Sequence, residues 1–204
     1  MVIVELSPGG GWYTEILANF IHYPGTLIAA HFSADSNRAY YKRSRSNFEE
    51  KMASNSMYGR VEIVDLDSQL SDPGTVDAVL TFRNLHNWLG PTMDSIFSKT
   101  HKALKPGGIF GIVEHRAKSG TSMDMMRKSG YVTEAHAIEI AQKHGFVLVA
   151  KSEINANPKD LKDYPKGVWT LPPNLRLKDT DKEKYLEIGE SDRMTLLFRK
   201  SIES

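Results

Sequence analysis

The sequence predicts an α/β fold in which helices cover both faces of a mostly parallel β-sheet. Short apolar segments alternate with segments whose apolar residues recur at helical spacing. Three consecutive glycines follow the first apolar segment directly, and such a cluster is typical of main chain that turns sharply or approaches another group closely. Repeated strand–helix–strand units with right-handed crossovers favour a parallel sheet over other topologies.

The first half of the chain supplies four predicted strands and two predicted helices. Residues 2–6 are largely apolar and β-branched, which is typical of a strand buried on both faces. In the helix after the glycines, apolar side chains recur at Trp12, Ile16 and Phe20, and the Pro24-Gly25 pair ends it. The further elements of this half are strands at residues 26–32, 61–64 and 77–82 and a helix at residues 36–53.

The second half continues the alternation. Pro91 begins a helix, a position at which proline is tolerated, and the Lys-Pro-Gly-Gly segment at residues 105–108 ends it. Further strands are predicted at residues 109–113, 146–150 and 194–198, and a further helix at residues 133–144.

Residues 155–191 interrupt this alternation. The segment is rich in proline and charge, yet it carries Tyr164 and Trp169. Connections of this length are often lids or binding loops. The alternative is an ordered surface excursion with a small core of its own. We therefore predict one domain over residues 1–204, with an inserted loop at residues 155–191.

The composition limits the partners and the compartment. The 26 Lys and Arg residues nearly balance the 25 Asp and Glu residues, for a net charge of +1, so bulk charge favours neither nucleic acid nor an anionic membrane. The absence of cysteine excludes disulfides and thiolate metal sites. No apolar run approaches the ~18 residues of a membrane span, and no secretory signal is visible. We expect a cytoplasmic protein and leave open both homo-oligomer formation and an export signal upstream of this chain.

The glycines mark the place where a ligand is expected. Turns from a strand to a helix at the carboxyl edge of a parallel sheet are where α/β folds bind ligands. Dinucleotide enzymes require G-x-G-x-x-G, but Thr14 occupies the place of the last glycine, and the phosphate-binding G-x-x-x-x-G-K-[ST] pattern does not occur. Glu5, at the end of the first strand, would repel a phosphate and accept hydrogen bonds from a ligand. A tight turn without a ligand is the alternative.

The glycine loop also carries a family resemblance. The segment Glu5-Leu6-Ser7-Pro8-Gly9-Gly10-Gly11 resembles the E/D-x-G-x-G-x-G loop of class I S-adenosylmethionine-dependent methyltransferases, with Ser7 in place of the first glycine. The segments VDLD, DAVLTFRNLHNW and ALKPGGIFGIVEH follow in the order that the family has. The segments SPGGGWYTEIL, RNLHNW, WTLPPNLRLKD and EIGESDRM resemble a subgroup of bacterial predicted methyltransferases without an assigned substrate. The resemblance implies a Rossmann-like, seven-stranded, mostly parallel sheet with an antiparallel last strand.

The resemblance implies roles toward S-adenosylmethionine. Glu5 and the glycine main chain are expected beside the methionine part of the cofactor, and Asp65 at its adenine amino group. The position that usually holds a carboxylate for the ribose hydroxyls, about 20 residues beyond the glycines, is His31 in this chain. The residues expected at the cofactor are Glu5, Ser7, Pro8, Gly9, Gly10, Gly11, His31, Asp65, Leu66, Arg83 and Asn84.

A second departure from the family lies at the front of the chain. The family normally has helices before its first strand that cover the cofactor, whereas this chain begins at that strand. A partner, a neighbouring subunit or the inserted loop would then cover the pocket. An open site and an incomplete gene model are the alternatives.

Candidate catalytic residues lie at the predicted ends of the fourth and fifth strands. Methyl transfer needs the acceptor aligned with the methyl group, and some acceptors also need a base. We predict His86 and Glu114 as catalytic, with His86 as a general base; a capping or main-chain contact is the alternative for His86. The residues predicted to bind substrate are Trp88, His115, Arg116, Tyr164 and Trp169, for which packing and salt-bridge roles are the alternatives. No histidine–carboxylate spacing indicates a metal site, so none is expected.

The sequence therefore predicts an enzyme that transfers a methyl group from S-adenosylmethionine to a small-molecule acceptor. A small acceptor is favoured because the charge is balanced and no nucleic-acid-binding module is visible. One alternative is a non-catalytic binding module with a degenerate fold, which His31 and the absent front segment favour. The other is an NAD(P)-dependent oxidoreductase, against which Thr14 argues.

Overall fold

A computed structural model describes residues 1–21 and 23–202, and within them the chain forms one seven-stranded sheet. The strand order is β3-β2-β1-β4-β5-β7-β6, and β7 runs antiparallel to both β5 and β6 while the other pairs are parallel. The predicted mostly parallel sheet with an antiparallel last strand is therefore confirmed. The strands are β1 Val2–Leu6, β2 Thr26–His31, β3 Val61–Asp65, β4 Val76–Phe82, β5 Leu104–His115, β6 Phe146–Ser152 and β7 Arg193–Lys200.

The helices pack on both faces of this sheet. They are α1 Trp12–Phe20, α2 Ala39–Ala53, α3 Leu85–Trp88, α4 Pro91–Ala103, α5 Met123–Ser129, α6 Glu134–Lys143 and α7 Lys182–Ile188, with 3₁₀ turns at Ser56–Tyr58 and Gly167–Thr170. The side chains of Val4 and Leu6 point into the larger core with Phe97 and Phe110, whereas Ile3 lies on the opposite face. Apolar residues on both sides of β1 explain why its sequence is nearly continuous in apolar character.

Two element starts and three short helices differ from the prediction for local reasons. Helix α2 begins at Ala39 rather than at residue 36, because the hydroxyls of Ser33 and Ser36 accept hydrogen bonds from nearby main-chain N–H groups and hold a turn instead. Strand β5 begins at Leu104, which pairs with Val76 before the register shifts. Helices α3, α5 and α7 span only 4, 7 and 7 residues, which is too short for a helical period to show.

Helix α1 forms where predicted, but several of its regularly spaced apolar side chains face solvent. Trp12 and Phe20 are 67% and 74% exposed, while Thr14 is buried against the sheet. The buried side of α1 therefore places the Thr14 hydroxyl at the carboxyl end of β1, where the polar ends of strands β1, β2, β4 and β5 lie together.

None of the helices in residues 1–21 and 23–202 combines the length and the apolarity of a membrane span.

Candidate active site

The loop between β1 and α1 leaves bare main chain on one side and packs tightly on the other. A Cβ built on Gly9 or Gly10 would meet no described atom within 4 Å, so both positions face open space. A Cβ on Gly11 would lie 3.1 Å from Cε2 of Phe48, and its φ of +81° is left-handed. Gly9 and Gly10 therefore leave bare main chain beside open space, whereas Gly11 is required for the turn and for packing against α2.

Two cavities meet at this loop. The first, which we call the β5-side cavity, has a volume of about 430 Å³. It is lined by Glu5, Ser7, Pro8, Gly9, Gly10, Trp12, Tyr13, Tyr40, Phe82, Arg83, Asn84, His86, His115, Val168, Trp169, Pro172, Pro173 and Asn174. The second, the β2-side cavity, has a volume of about 500 Å³. It is lined by Ser7, Gly9, His31, Phe32, Arg38, Tyr40, Tyr41, Ser44, Leu66, Asp67, Asn84, Asn87, Trp88 and Thr92.

Ser7 and Asn84 lie at the junction of the two cavities. The Asn84 amide nitrogen donates to the main-chain oxygens of Leu6 and Ser7, each at 3.2 Å, and so fixes the loop. The Ser7 hydroxyl is buried and has no hydrogen-bond partner among the residues that the structure describes. A buried hydroxyl without a partner is costly, and Ser7 lines both cavities.

Glu5 is the carboxylate at the base of the β5-side cavity. Its side chain is only 1% exposed, and the Thr14 hydroxyl donates to its Oε2 atom at 2.6 Å. Burial raises the pKa of Glu5 to about 7, although the hydrogen bond from Thr14 acts in the opposite direction. Because most of its acceptor capacity is unused by Thr14, Glu5 can receive donors from a bound cation.

His31 is committed to the protein main chain. Its Nδ1 atom accepts from the N–H of Phe32 at 2.7 Å, so Nε2 carries the proton and donates to the Gly9 carbonyl at 3.1 Å. Burial also lowers its pKa, which favours this neutral ring. Neither ring nitrogen is left for a ribose hydroxyl, and His31 instead holds the glycine loop in place.

Asp67, and not the predicted Asp65, borders the β2-side cavity after the end of β3. Asp65 pairs with Arg45 at 2.9 Å and does not line either cavity. Leu66 and Asp67 line the β2-side cavity, and the Leu66 N–H donates to the His31 carbonyl at 2.7 Å. Sequence reasoning missed Asp67, although the VDLD segment contains both acids.

His86 and Glu114 form a hydrogen-bonded pair in the wall of the β5-side cavity. The Nδ1 atom of His86 lies 3.0 Å from Oε1 of Glu114, which also accepts from the His115 N–H at 2.7 Å. The His86 N–H donates to Oε2 at 3.3 Å. Burial alone would raise the pKa of the fully buried Glu114, but the neighbouring groups of His86 and His115 outweigh it and lower that pKa. An ionised carboxylate thus fixes the His86 ring, as in other histidine–carboxylate pairs.

The segment before β7 covers this pair. Trp169 lies edge-on to His86, with ring centroids 5.9 Å apart, and Ser191 Oγ contacts His115 Nδ1 at 2.5 Å. Tyr13 stacks on Phe82 with centroids 3.9 Å apart, and the Arg83 guanidinium lies 5.7 Å from the Tyr13 ring. The cavity therefore has aromatic walls and one cationic side chain, and sequence reasoning missed both Tyr13 and Phe82.

Besides His31 and Asp65, four residues predicted for the site lie elsewhere or play another part. Arg116 binds Glu153 and Asp192 and anchors the covering segment to the end of β5. The Tyr164 hydroxyl accepts from the Leu161 N–H, and its ring packs edge-on to Tyr185. Trp88 is 5% exposed and belongs to the core, where it borders the β2-side cavity. Gly11 packs against α2, as described above.

One group of three potential metal ligands occurs among the described residues. A ligand atom from each of His86, Glu114 and His115 lies within 4.8 Å of the other two. The spacing in the sequence gave no sign of this group, because His86 follows β4 whereas the other two residues end β5, and only the pairing of these strands brings them together.

Comparison with known proteins agrees with this architecture. Residues 4–112 match the family model described as a methyltransferase domain, which covers more than half of the chain. No curated protein sequence matches.

Solved structures with the same fold share little sequence with this chain. A putative sarcosine dimethylglycine methyltransferase from Galdieria sulphuraria is 14% identical with a TM-score of 0.66, covering 100% of this chain and 78% of that one. A S-adenosylmethionine-dependent methyltransferase from Aquifex aeolicus is 13% identical with a TM-score of 0.63, covering 98% and 82%. Geranyl diphosphate C-methyltransferase from Streptomyces coelicolor A3(2), solved with Mg²⁺, geranyl diphosphate and S-adenosylhomocysteine, is 12% identical with a TM-score of 0.64, covering 98% and 72%.

Proposed function

Since this chain belongs to the methyltransferase domain family and uses S-adenosylmethionine as its cofactor, we propose that it methylates a small molecule held in the β5-side cavity. The observation that carries the proposal is the junction of two cavities at the bare main chain of Gly9 and Gly10. One cavity suits the cofactor's adenosine, and the other holds the His86–Glu114 pair.

The residues around the junction fit this cofactor. The unpartnered Ser7 hydroxyl and the open space above Gly9 and Gly10 support a ligand lying along the loop. The Glu5 carboxylate is complementary to a cationic methionine moiety. In the β2-side cavity, Leu66 and Asp67 offer an apolar surface and an acceptor, as an adenosine requires. When bound, S-adenosylmethionine supplies an electrophilic methyl group.

His86 is the proposed general base. Glu114 holds the proton on Nδ1 of His86, which leaves Nε2 as the basic nitrogen of a ring that lines the cavity. An acceptor hydroxyl or amine that reaches Nε2 loses its proton there as it is methylated. Glu114 itself is fully buried behind the ring, so its proposed part is to orient His86 and to stabilise the imidazolium.

The lining supports a small, partly aromatic acceptor. Tyr13, Phe82 and Trp169 provide flat apolar walls, and Arg83 provides a donor for an anionic or polar group. The volume of about 430 Å³ lies in the lower part of the range for small-molecule sites. The covering residues Val168 and Trp169 exclude solvent from the His86 ring.

Calorimetry with S-adenosylmethionine and S-adenosylhomocysteine tests the cofactor half of the proposal. A Cβ at Gly10 meets no described atom within 4 Å, so we expect the side chain of Gly10→Val to enter the space above the loop, to abolish binding and to leave the thermal unfolding temperature nearly unchanged. Gly10→Ala should give an intermediate loss. Equal affinity in all three proteins would mean that the cofactor does not lie along this loop.

A crystal structure with S-adenosylhomocysteine tests the acceptor half. We expect the sulfur to face the β5-side cavity, on the side of His86 and Trp169. Turnover of phenol and amine acceptors should then be lost in His86→Asn while cofactor affinity is kept. Cofactor binding with the sulfur turned away from this cavity would favour the non-catalytic binding module.

A further inference from the structure

We propose that His86, Glu114 and His115 form a binding site for a divalent transition-metal ion in the wall of the β5-side cavity. One potential ligand atom from each residue lies within 4.8 Å of the other two, and His86 Nδ1 and Glu114 Oε1 are 3.0 Å apart. Ligand atoms about 3 Å apart are what an ion with metal–ligand distances of about 2.0–2.2 Å requires. This is the one group of its kind in residues 1–21 and 23–202.

The donor set selects the class of ion. Two imidazoles and one carboxylate suit Zn²⁺, Co²⁺, Ni²⁺ or Fe²⁺, whereas Mg²⁺ and Ca²⁺ prefer all-oxygen sites. Three protein ligands leave at least one coordination position open, as catalytic rather than structural sites do. Since His86 and His115 line the β5-side cavity, that open position faces the space in which an acceptor would bind.

The surrounding hydrogen bonds hold the ligands as a metal site requires. Ligating histidines commonly use their second ring nitrogen to contact a fixed oxygen, and Ser191 Oγ lies 2.5 Å from His115 Nδ1. The main-chain N–H groups of His86 and His115 fix the Glu114 carboxylate at 3.3 and 2.7 Å. These two donors do not use the Oε1 lone pair that faces His86 Nδ1, so this lone pair is available to a metal ion. The ion takes the place of the proton between these two atoms, and that proton moves to Nε2 of His86.

A second histidine–carboxylate pair in the molecule provides a comparison. His144 Nε2 lies 3.0 Å from Asp94 Oδ1, the same separation as in the His86–Glu114 pair, but the third group there is the Lys143 ammonium at 2.6 Å. An ammonium repels a metal ion where a second imidazole would bind it. His144→Asn is therefore the control for removing a histidine from a carboxylate pair that lacks a second imidazole.

The ion would also change the part that His86 plays, and this consequence alone rests on the proposed function. A neutral imidazole ligated through Nδ1 carries its proton on Nε2, so it cannot accept a proton from an acceptor. Metal binding and base catalysis by His86 thus exclude each other.

Titration of protein without a histidine tag, treated with a chelator, with Co²⁺ tests the site. We expect one equivalent to saturate a visible absorption band and Zn²⁺ to displace it. His115→Asn and Glu114→Gln should each weaken Co²⁺ binding by about 100-fold or more, beyond the 10–100-fold typical of losing an outer partner. Ser191→Ala should weaken it by about tenfold, and His144→Asn should leave it unchanged.

Two results would overturn the site: no band at millimolar Co²⁺, or a band that His115→Asn leaves intact. Should Glu114→Gln fail to fold, NMR of the unaltered protein tests the site instead. The imidazole resonances of His86 and His115 must be the first to broaden as Co²⁺ is added. No cofactor or acceptor is present in these measurements. A negative result therefore leaves methyl transfer standing, and a failure of methyl transfer leaves the metal site standing.

Discussion

Two glutamates at the same edge of the sheet show how differently a buried carboxylate can be used. Glu5 and Glu114 are the penultimate residues of β1 and β5, and their side chains are 1% and 0% exposed. Glu5 accepts one hydrogen bond from protein, that of Thr14. Glu114 accepts three, from the ring and main chain of His86 and the main chain of His115. Burial raises the pKa of Glu5 to about 7, whereas the donors around Glu114 overcome burial and lower its pKa.

The comparison teaches that donors, not burial, decide the charge of these groups. Both carboxylates are removed from water, but one protein donor does not replace the water that Glu5 loses. Three donors, one of them the His86 imidazole, do so for Glu114 together with the nearby His115 imidazole. Glu5 is therefore poised to receive further donors from a ligand. Glu114 is already satisfied and acts on the ring of His86.

The largest expected loss of stability is that of Glu114→Gln, which tests whether donors satisfy the Glu114 carboxylate. An amide offers one acceptor oxygen where the two N–H groups and the His86 ring now find two, so a buried donor is left unpaired. We expect the free energy of unfolding to fall by roughly 3 kcal/mol at pH 7. Urea denaturation measures it, with the exposed Glu62→Gln as the control that should change little. A loss no larger than that of the control would mean that Glu114 is not held by these donors.

Glu5→Gln should raise the free energy of unfolding, whereas Glu114→Gln lowers it. The pKa of Glu5 rises from 4.5 to about 7 on folding, so the folded protein holds the proton more tightly than the unfolded chain. Glu5 therefore lowers stability progressively as the pH rises from about 4.5 to about 7, and glutamine removes this penalty. We expect the variant to be more stable by roughly 3 kcal/mol at pH 8 and equal at pH 4. Destabilisation at pH 8 would contradict the assignment of Glu5 as an under-satisfied carboxylate.

Glu5→Gln should also lower the affinity for the cofactor, which gives a second measure of how Glu5 differs from Glu114. Binding of S-adenosylmethionine is expected to tighten by about tenfold between pH 6 and pH 8, because Glu5 loses its proton across this range and then attracts the ammonium group. In Glu5→Gln the affinity should be low and independent of pH. Calorimetry at several pH values measures both, and a flat profile in the unaltered protein would place the cation elsewhere.

Much of this edge was predictable from the sequence. Apolar runs and glycine turns fix the strands, and the last residue of a parallel strand lies at the carboxyl edge whatever its partners are. The sequence therefore predicts Glu5, Glu114 and His86 at one edge of the sheet. The bare main chain at Gly9 and Gly10 follows from composition alone, since glycine is the residue that leaves such space.

The partners of these residues were not predictable. His31 bonds to Gly9, and Arg45 bonds to Asp65 from another element, so each contact depends on how helices and strands pack. Asp65 ends β3 and is held by Arg45, whereas Asp67 lies in the turn after the strand and borders the cavity. A shift of a residue or two is below what a pattern resolves. The His86–Glu114 contact needs β4 and β5 to be neighbours, which the resemblance implied but the spacing did not.

The smallest expected effect comes from Thr14→Val, which removes the one protein donor to Glu5 and leaves the shape of the side chain nearly unchanged. The hydrogen bond from Thr14 lowers the pKa of Glu5, so its loss should raise that pKa further. The midpoint of the pH profile for S-adenosylmethionine binding should then move above about 7, and stability at pH 8 should fall by about 1 kcal/mol. At pH 5 the protonated carboxyl has less need of a donor, so the stability loss should be smaller there. A midpoint that stays in place would mean that Thr14 does not set the charge of Glu5, and the difference from Glu114 would then not come from the number of protein donors.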